Sequence, residues 1–185
     1  AVLVLLLVLF GLRGESPTAS GKPRLAVIAF SDQTGDAALA KVQMDKIVTD
    51  AVIQRFYEFP HTQLVSPLRL SKIQKDLDIN TKDLAEDPEF RETLARQTDS
   101  RLMITGAVRK LGKTFRLSAD FEDLETGRLI GKASLEAFSA EEILNTLVDT
   151  LCNRFQAKMV AEFGIQKRAV QSDLNVGELT TQSLD

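Results

Sequence analysis

The chain has 185 residues, 44% of them hydrophobic and 26% charged, which suits one packed domain with appendages and excludes a wholly disordered chain. Lys plus Arg number 23 against 26 Asp plus Glu, so the net charge of −3 makes no bulk electrostatic case for nucleic acid. A single Cys and a single His exclude an intrachain disulfide and a Cys/His zinc site.

Residues 1–12 are apolar and uncharged, and Arg13 is the first charge. A membrane-spanning helix needs about 20 apolar residues. The run therefore reads as the C-terminal part of such a span, with a signal-peptide core and a buried helix as alternatives. Residues 13–23 are rich in Gly, Ser and Pro and read as a tether. The folded domain is expected over 24–163, and 164–185 reads as a polar connector toward a further domain.

Residues 24–30 form an apolar run without alternation, which suits a central strand covered on both faces. Residues 31–36 read as a turn-rich loop. A helix is expected over 37–58, with Met44, Ile47, Val48, Ala51, Val52 and Phe56 on one stripe. A second strand at 62–65 would complete a right-handed parallel crossover.

Ser66–Pro67 and Asp87–Pro88 each carry the N-cap and first-turn signature of a helix. The buried candidates are Leu70, Ile73 and Leu77 on the first, Phe90 and Leu94 on the second. Strands follow at 101–108, 114–121 and 129–135, joined by short Gly-bearing connections into an antiparallel meander. In the middle strand Phe115, Leu117, Ala119 and Phe121 alternate with polar residues and face the core. Ser139 and Glu142 form a capping box. It opens a last helix whose stripe is Ile143, Leu144, Leu147, Val148, Leu151, Cys152, Phe155 and Met159. The predicted fold is mixed α/β (α+β), with about five strands and helices packed on the sheet.

Little in this sequence announces chemistry. The loop after the first strand has neither the Walker nor the three-glycine dinucleotide pattern, and Asp32 and Asp36 would repel phosphate. His61 has no nucleophile motif beside it and reads as an exposed loop residue. Cys152 sits on an apolar stripe and reads as a small core hydrophobe. Asp76, Asp78, Asp83, Glu86, Asp87 and Glu89, like Asp120, Glu122, Asp123 and Glu125, lack a calcium-loop pattern and read as caps and solvated faces. Arg101, Arg109, Lys110, Lys113 and Arg116 are the one basic concentration, with no acid between Arg101 and Ala119. Of these, Arg109, Lys110, Lys113 and Arg116 are the candidates for contact with an anionic partner. Charges that protect a sheet edge are the alternative. No catalytic, cofactor-binding or metal-ligating residue is predicted, and the expectation is a non-enzyme without a cofactor.

Three segments in order carry a resemblance. Arg24-Leu25-Ala26-Val27-Ile28-Ala29-Phe30 followed by Ser31-Asp32 resembles the opening of TolB N-terminal-like domains. Residues 98–108, a strand ending Gly106-Ala107-Val108, and residues 115–130, a hairpin turning at Thr126-Gly127, are similar to later segments of the same family. Related domains occur in flagellar accessory proteins, in curli-secretion and penicillin-binding-protein-activator lipoproteins, and in large bacterial regulators with tetratricopeptide repeats. The resemblance implies no catalytic residues. It implies protein partners; together with the apolar run and the tether it gives the expectation of a non-catalytic interaction or sensor domain attached to a bacterial inner membrane through the N-terminal segment, on its periplasmic side. The chain departs from the lipoprotein branches in having no lipid-anchor Cys near the apolar run. The tail at 176–185 resembles the lead-in to such repeats, so a helical repeat array is expected after Asp185. A periplasmic assembly factor and a small-molecule binder are the rival expectations.

Overall fold

The computed structural model describes residues 21–81, 84 and 87–163. The expected span at 1–12, most of the tether, the connector at 164–185, Asp83 and Glu86 lie outside the described residues. Among the described residues no helix is long and apolar enough to cross a membrane.

Among the described residues six strands make one mixed sheet: β1 (Arg24–Val27), β2 (Ser31–Gln33), β3 (Gln63–Leu64), β4 (Leu102–Leu111), β5 (Thr114–Asp123) and β6 (Arg128–Ala137). Their order is β3-β1-β4-β5-β6, with β2 beside β4 beyond the end of β1. β1 runs parallel to both β3 and β4, and β4, β5 and β6 form the expected antiparallel meander.

The sixth strand corrects the loop expected at 31–36. β1 and β2 behave as one interrupted strand along β4. Val27 aligns with Ile104 and Ser31 with Ala107, so residues 28–30 lie against 105–106. That mismatch is a bulge, which bends the strand and removes backbone groups from the ladder. The Phe30 N–H, displaced from β4, donates instead to Thr49 Oγ1 at 2.9 Å. Thr49 in turn donates to the Asp45 carbonyl one turn earlier, at 2.7 Å.

The helix expected over 37–58 is two: α1 (Ala37–Lys41) and α2 (Met44–Tyr57). Asp36 caps α1 by accepting from the Ala38 N–H at 3.0 Å. The break falls at Gln43, whose φ of 54° is left-handed and cannot continue a helix. After that break α2 is turned so that Met44, Val48, Thr49, Val52 and Phe56 are buried. Ile47, expected on the stripe, is 41% exposed.

Helices α3 (Pro67–Asp76) and α4 (Pro88–Thr98) start at their predicted Pro residues. Leu70 and Leu94 are buried, whereas Phe90 and Leu77 are exposed. The last helix opens as a short turn, α5 (Ala140–Glu142), passes through a π-helical segment at Ile143–Leu147, and continues as α6 (Val148–Glu162). Ser139 Oγ accepts from the Glu142 N–H at 3.1 Å. Glu142 reaches back to the Phe138 N–H at 2.7 Å, one residue earlier than a standard capping box.

Two cores result. Helices α2 and α6 cover one face of the sheet, packing Val48, Val52, Phe56, Leu151, Phe155 and Met159 against Leu102, Ile104, Leu117 and Phe121. On the other face the second core is small. It joins Ala26, Ile28 and Met103 to Val65, Leu70, Leu84 and Leu94. That cover stops at the start of β4, so among the described residues no helix covers the far half of β4 or the opposite faces of β5 and β6.

Candidate functional site

Strand alternation decides what stands on the uncovered face. In β4 it presents Thr105, Ala107 and Arg109; in β5, Arg116, Ser118 and Asp120; in β6, Lys132, Ser134 and Glu136. The register aligns these side chains into rows that cross the sheet. One row is Gln33, Arg109, Arg116 and Glu136. The next is Ser31, Ala107, Ser118 and Ser134. A third is Thr105, Asp120 and Lys132. Short side chains in the middle row and long charged ones on both sides make a shallow trough of about 380 Å³.

Arg109 and Arg116 are paired directly across β4 and β5. Like charges so placed repel. Each is steadied from its outer side. Gln33 Oε1 accepts from Arg109 Nε at 2.7 Å, and Glu136 Oε1 accepts from Arg116 Nη2 at 2.5 Å. Glu136 neutralises Arg116, whereas Gln33 supplies Arg109 with an acceptor but no charge. Among the described residues no carboxylate pairs with Arg109. In the third row Lys132 pairs with Asp120 at 3.2 Å. At the end nearest α4, Arg91 meets Glu122 at 3.0 Å, both largely buried.

The four basic candidates do not share one surface. Arg109 and Arg116 stand together in the trough. Lys110 is on the helix-covered side, where its Nζ donates to Asp36 at 2.5 Å and lies 5.6 Å from the Phe115 ring centroid. This bond is the main cause holding the Asp36 carboxyl below its usual range, with the Ala38 N–H next. Lys113 occupies the exposed turn between β4 and β5. Arg101 lies just before β4, pairs with Asp123 and Glu125 at 3.1 Å each, and stacks over Phe163 at 4.8 Å.

Sequence reasoning did not single out Gln33, Arg91, Lys132, Ser134 and Glu136. The polar half of the alternation at 114–121 was the available signal, but which strands flank it is a matter of topology.

The remaining candidates are structural. Asp32 accepts from the Thr34 N–H at 2.8 Å and the Thr34 hydroxyl at 2.6 Å, closing the turn after β2. Cys152 is buried, and its thiol is pushed up to about 12 by burial, with the nearby Asp149 carboxylate adding to the shift. His61, expected to be exposed, is half-buried with its ring edge-on to Phe59 at 5.2 Å. Among the described residues no group of three or more His, Cys, Asp or Glu is arranged to hold a metal ion.

No protein-family model matches the chain, and no curated protein does. Solved structures do match. The LpoB C-terminal domain from Salmonella enterica aligns with a TM-score of 0.51 at 15% identity, over 64% of this chain and 84% of that one. Lipoprotein GNA1162 from Neisseria meningitidis aligns with a TM-score of 0.51 at 14% identity, over 71% and 95%. TolB from Acinetobacter baumannii aligns with a TM-score of 0.50 at 10% identity, over 75% of this chain and 28% of TolB. At these identities the likeness is one of fold, and the described domain has a TolB- and LpoB-like fold.

Proposed function

We propose that the chain is a non-catalytic interaction domain of a membrane-anchored bacterial envelope protein, and that it docks its partner on the uncovered sheet face. The observation that carries this reading is the trough itself: a serine-floored depression in which Arg109 faces Arg116 and, among the described residues, has no carboxylate of its own. A partner carboxylate placed there would complete the row and relieve the repulsion between the two guanidiniums. Lys113, in the exposed turn between β4 and β5, is the flanking contact in this reading, while Lys110 stays on the other side of β4 with Asp36.

The apolar run at 1–12 is the anchor, and 24–163 is the interaction unit on the extracytoplasmic side of the inner membrane. Residues 164–185 lead into a further domain, for which a tetratricopeptide array in a large regulator is the reading. The fold shared with a lipoprotein supports an envelope setting.

Replacing Ser118 with a photo-cross-linking amino acid in the native host tests the docking face. The expected result is a defined protein adduct that Arg109→Gln together with Arg116→Gln abolishes. An adduct insensitive to that pair, or one equally strong from Asn153 on the helix-covered side, overturns the reading.

A further inference from the structure

At one border of the sheet, β6 is a ten-residue edge strand, paired on one side with β5 and, among the described residues, unpaired on the other. Long edges invite a further strand unless something blocks them. The direction of each backbone group on this edge follows from the register. The Ile104 carbonyl accepts from Ile28 on β1, and the Arg101 carbonyl accepts from Leu124 beyond β5. Backbone groups alternate sides along a strand, so even-numbered β4 residues point to β1 and β2 and odd-numbered ones to β5. Carried through the pairs Arg109–Arg116 and Leu117–Leu135, the same alternation turns the even-numbered residues of β6 outward. Lys132, Ser134 and Glu136 therefore carry the free N–H and C=O groups, and all three side chains are exposed.

We infer that this edge pairs antiparallel with β6 of a second copy of the chain, about a twofold axis at Ser134. In that register Ser134 lies opposite Ser134 of the second copy. Lys132 lies opposite Glu136 and Glu136 opposite Lys132, two charge pairs generated by one symmetry operation. The backbone groups at those three positions are the outward ones, so each facing pair exchanges both hydrogen bonds. A charge on an edge strand ordinarily repels a chance partner. Here the opposite charges sit two residues either side of the axis, and each keeps its partner within the chain, Lys132 with Asp120 and Glu136 with Arg116, while gaining a second one across the axis. A parallel copy in register would set lysine against lysine.

The same operation brings Phe138, 81% exposed at the end of the strand, opposite Ile130 of the second copy. Small or aliphatic residues, Ala133 and Leu135, face each other between the charge pairs. The resulting sheet is continuous across the axis, and the two troughs open on one side of it. The inference does not depend on what binds in those troughs.

The full chain, kept soluble in mild detergent, carries the test. Ser134→Cys should form a disulfide-linked dimer under mild oxidation. Lys132→Cys and Glu136→Cys should not link to themselves, since like positions would be about 13 Å apart. Mixed together, they should link to each other. Lys132→Glu should weaken the dimer about tenfold or more, and Lys132→Glu with Glu136→Lys should restore it. Circular dichroism confirms that each variant is folded. A folded Ser134→Cys protein that stays monomeric overturns the inference, as it would if another segment of the chain already occupied the edge. Self-linking through Lys132→Cys would place the axis elsewhere and overturn it equally.

Discussion

The ring of Phe30 fills the space that a side chain on Gly106 would need: a Cβ built on Gly106 would overlap Phe30 Cε1. The bulge between β1 and β2 drops this ring onto β4, and only a residue without a side chain can sit beneath it. Gly106→Ala is therefore expected to destabilise the domain by about 1–3 kcal/mol through overpacking. Phe30→Ala should cost about 3–5 kcal/mol through the cavity it leaves. In the double variant the Gly106→Ala penalty should largely vanish, because the clash partner is gone. Denaturant midpoints of the four proteins measure the coupling, and strict additivity would contradict the contact.

Thr49 serves the same bulge. Its hydroxyl is the acceptor for the Phe30 N–H at 2.9 Å, and the site is buried. Thr49→Val keeps the shape and leaves that N–H unsatisfied, for an expected loss of about 1–3 kcal/mol. Thr49→Ser keeps the hydroxyl and should cost less. Equal melting temperatures for the Val and Ser variants would show that the N–H finds another acceptor.

Cys152 is expected to resist alkylation in the folded protein near neutral pH and to react once the chain is unfolded, as stoichiometric labelling can establish. The thiol also adds a pH dependence. Its folded value is about 12, against an ordinary 9.0. Above the ordinary value the unfolded chain loses this proton while the folded chain retains it. The contribution is thus fully present below pH 9.0 and is lost as pH rises toward about 12. Cys152→Ala should show a shallower alkaline decline in melting temperature than the parent. Parallel curves would refute the shift.

Asp123 is the buried carboxylate at the end of β5. Its Oδ1 accepts from the Glu125 N–H at 3.0 Å and its Oδ2 from Arg101 Nη2 at 3.1 Å. Asp123→Ala removes both acceptors and should cost about 1–3 kcal/mol. Asp123→Asn retains a carbonyl for the turn and should cost less, with the difference shrinking at high salt. Urea unfolding at two ionic strengths separates the two contributions.

The meander and both proline-started helices were legible from the residues because local signals decide them. Phe115, Leu117 and Phe121 alternate, and Ser66–Pro67 and Asp87–Pro88 set helix starts. β2 was not legible. Ser31, Asp32 and Gln33 border an uncovered face and need no apolar side chains there, so a strand looked like a turn. Ile47 is expected in the core because it is apolar and three residues from Met44, whereas polar Thr49 carries no such signal. The left-handed Gln43 resets the rotation of α2, and the Thr49 position is claimed by a hydrogen bond that belongs to the bulge. The trough was half visible. The basic concentration includes Arg109 and Arg116, but adjacent Lys110 projects from the other side of the same strand. Gln33 and Glu136 join the row only through pairings between distant segments.

The π-helical segment at Ile143–Leu147 bears on how much sequence change the last helix can absorb. Ile143, Leu147, Leu151, Phe155 and Met159 follow one another at intervals of four and are all buried. In an unbroken α-helix each such interval drifts about 40° around the axis, so the stripe would wind away from the sheet. The wider turn takes back part of that drift at the start. Phase is thus stored locally, at exposed Asn145 and Thr146. Loss of one residue there would let the segment relax into ordinary helix, with the stripe beyond Val148 undisturbed. The same loss beyond Leu151 would rotate everything after it by about 100° and lift Phe155 and Met159 out of the core.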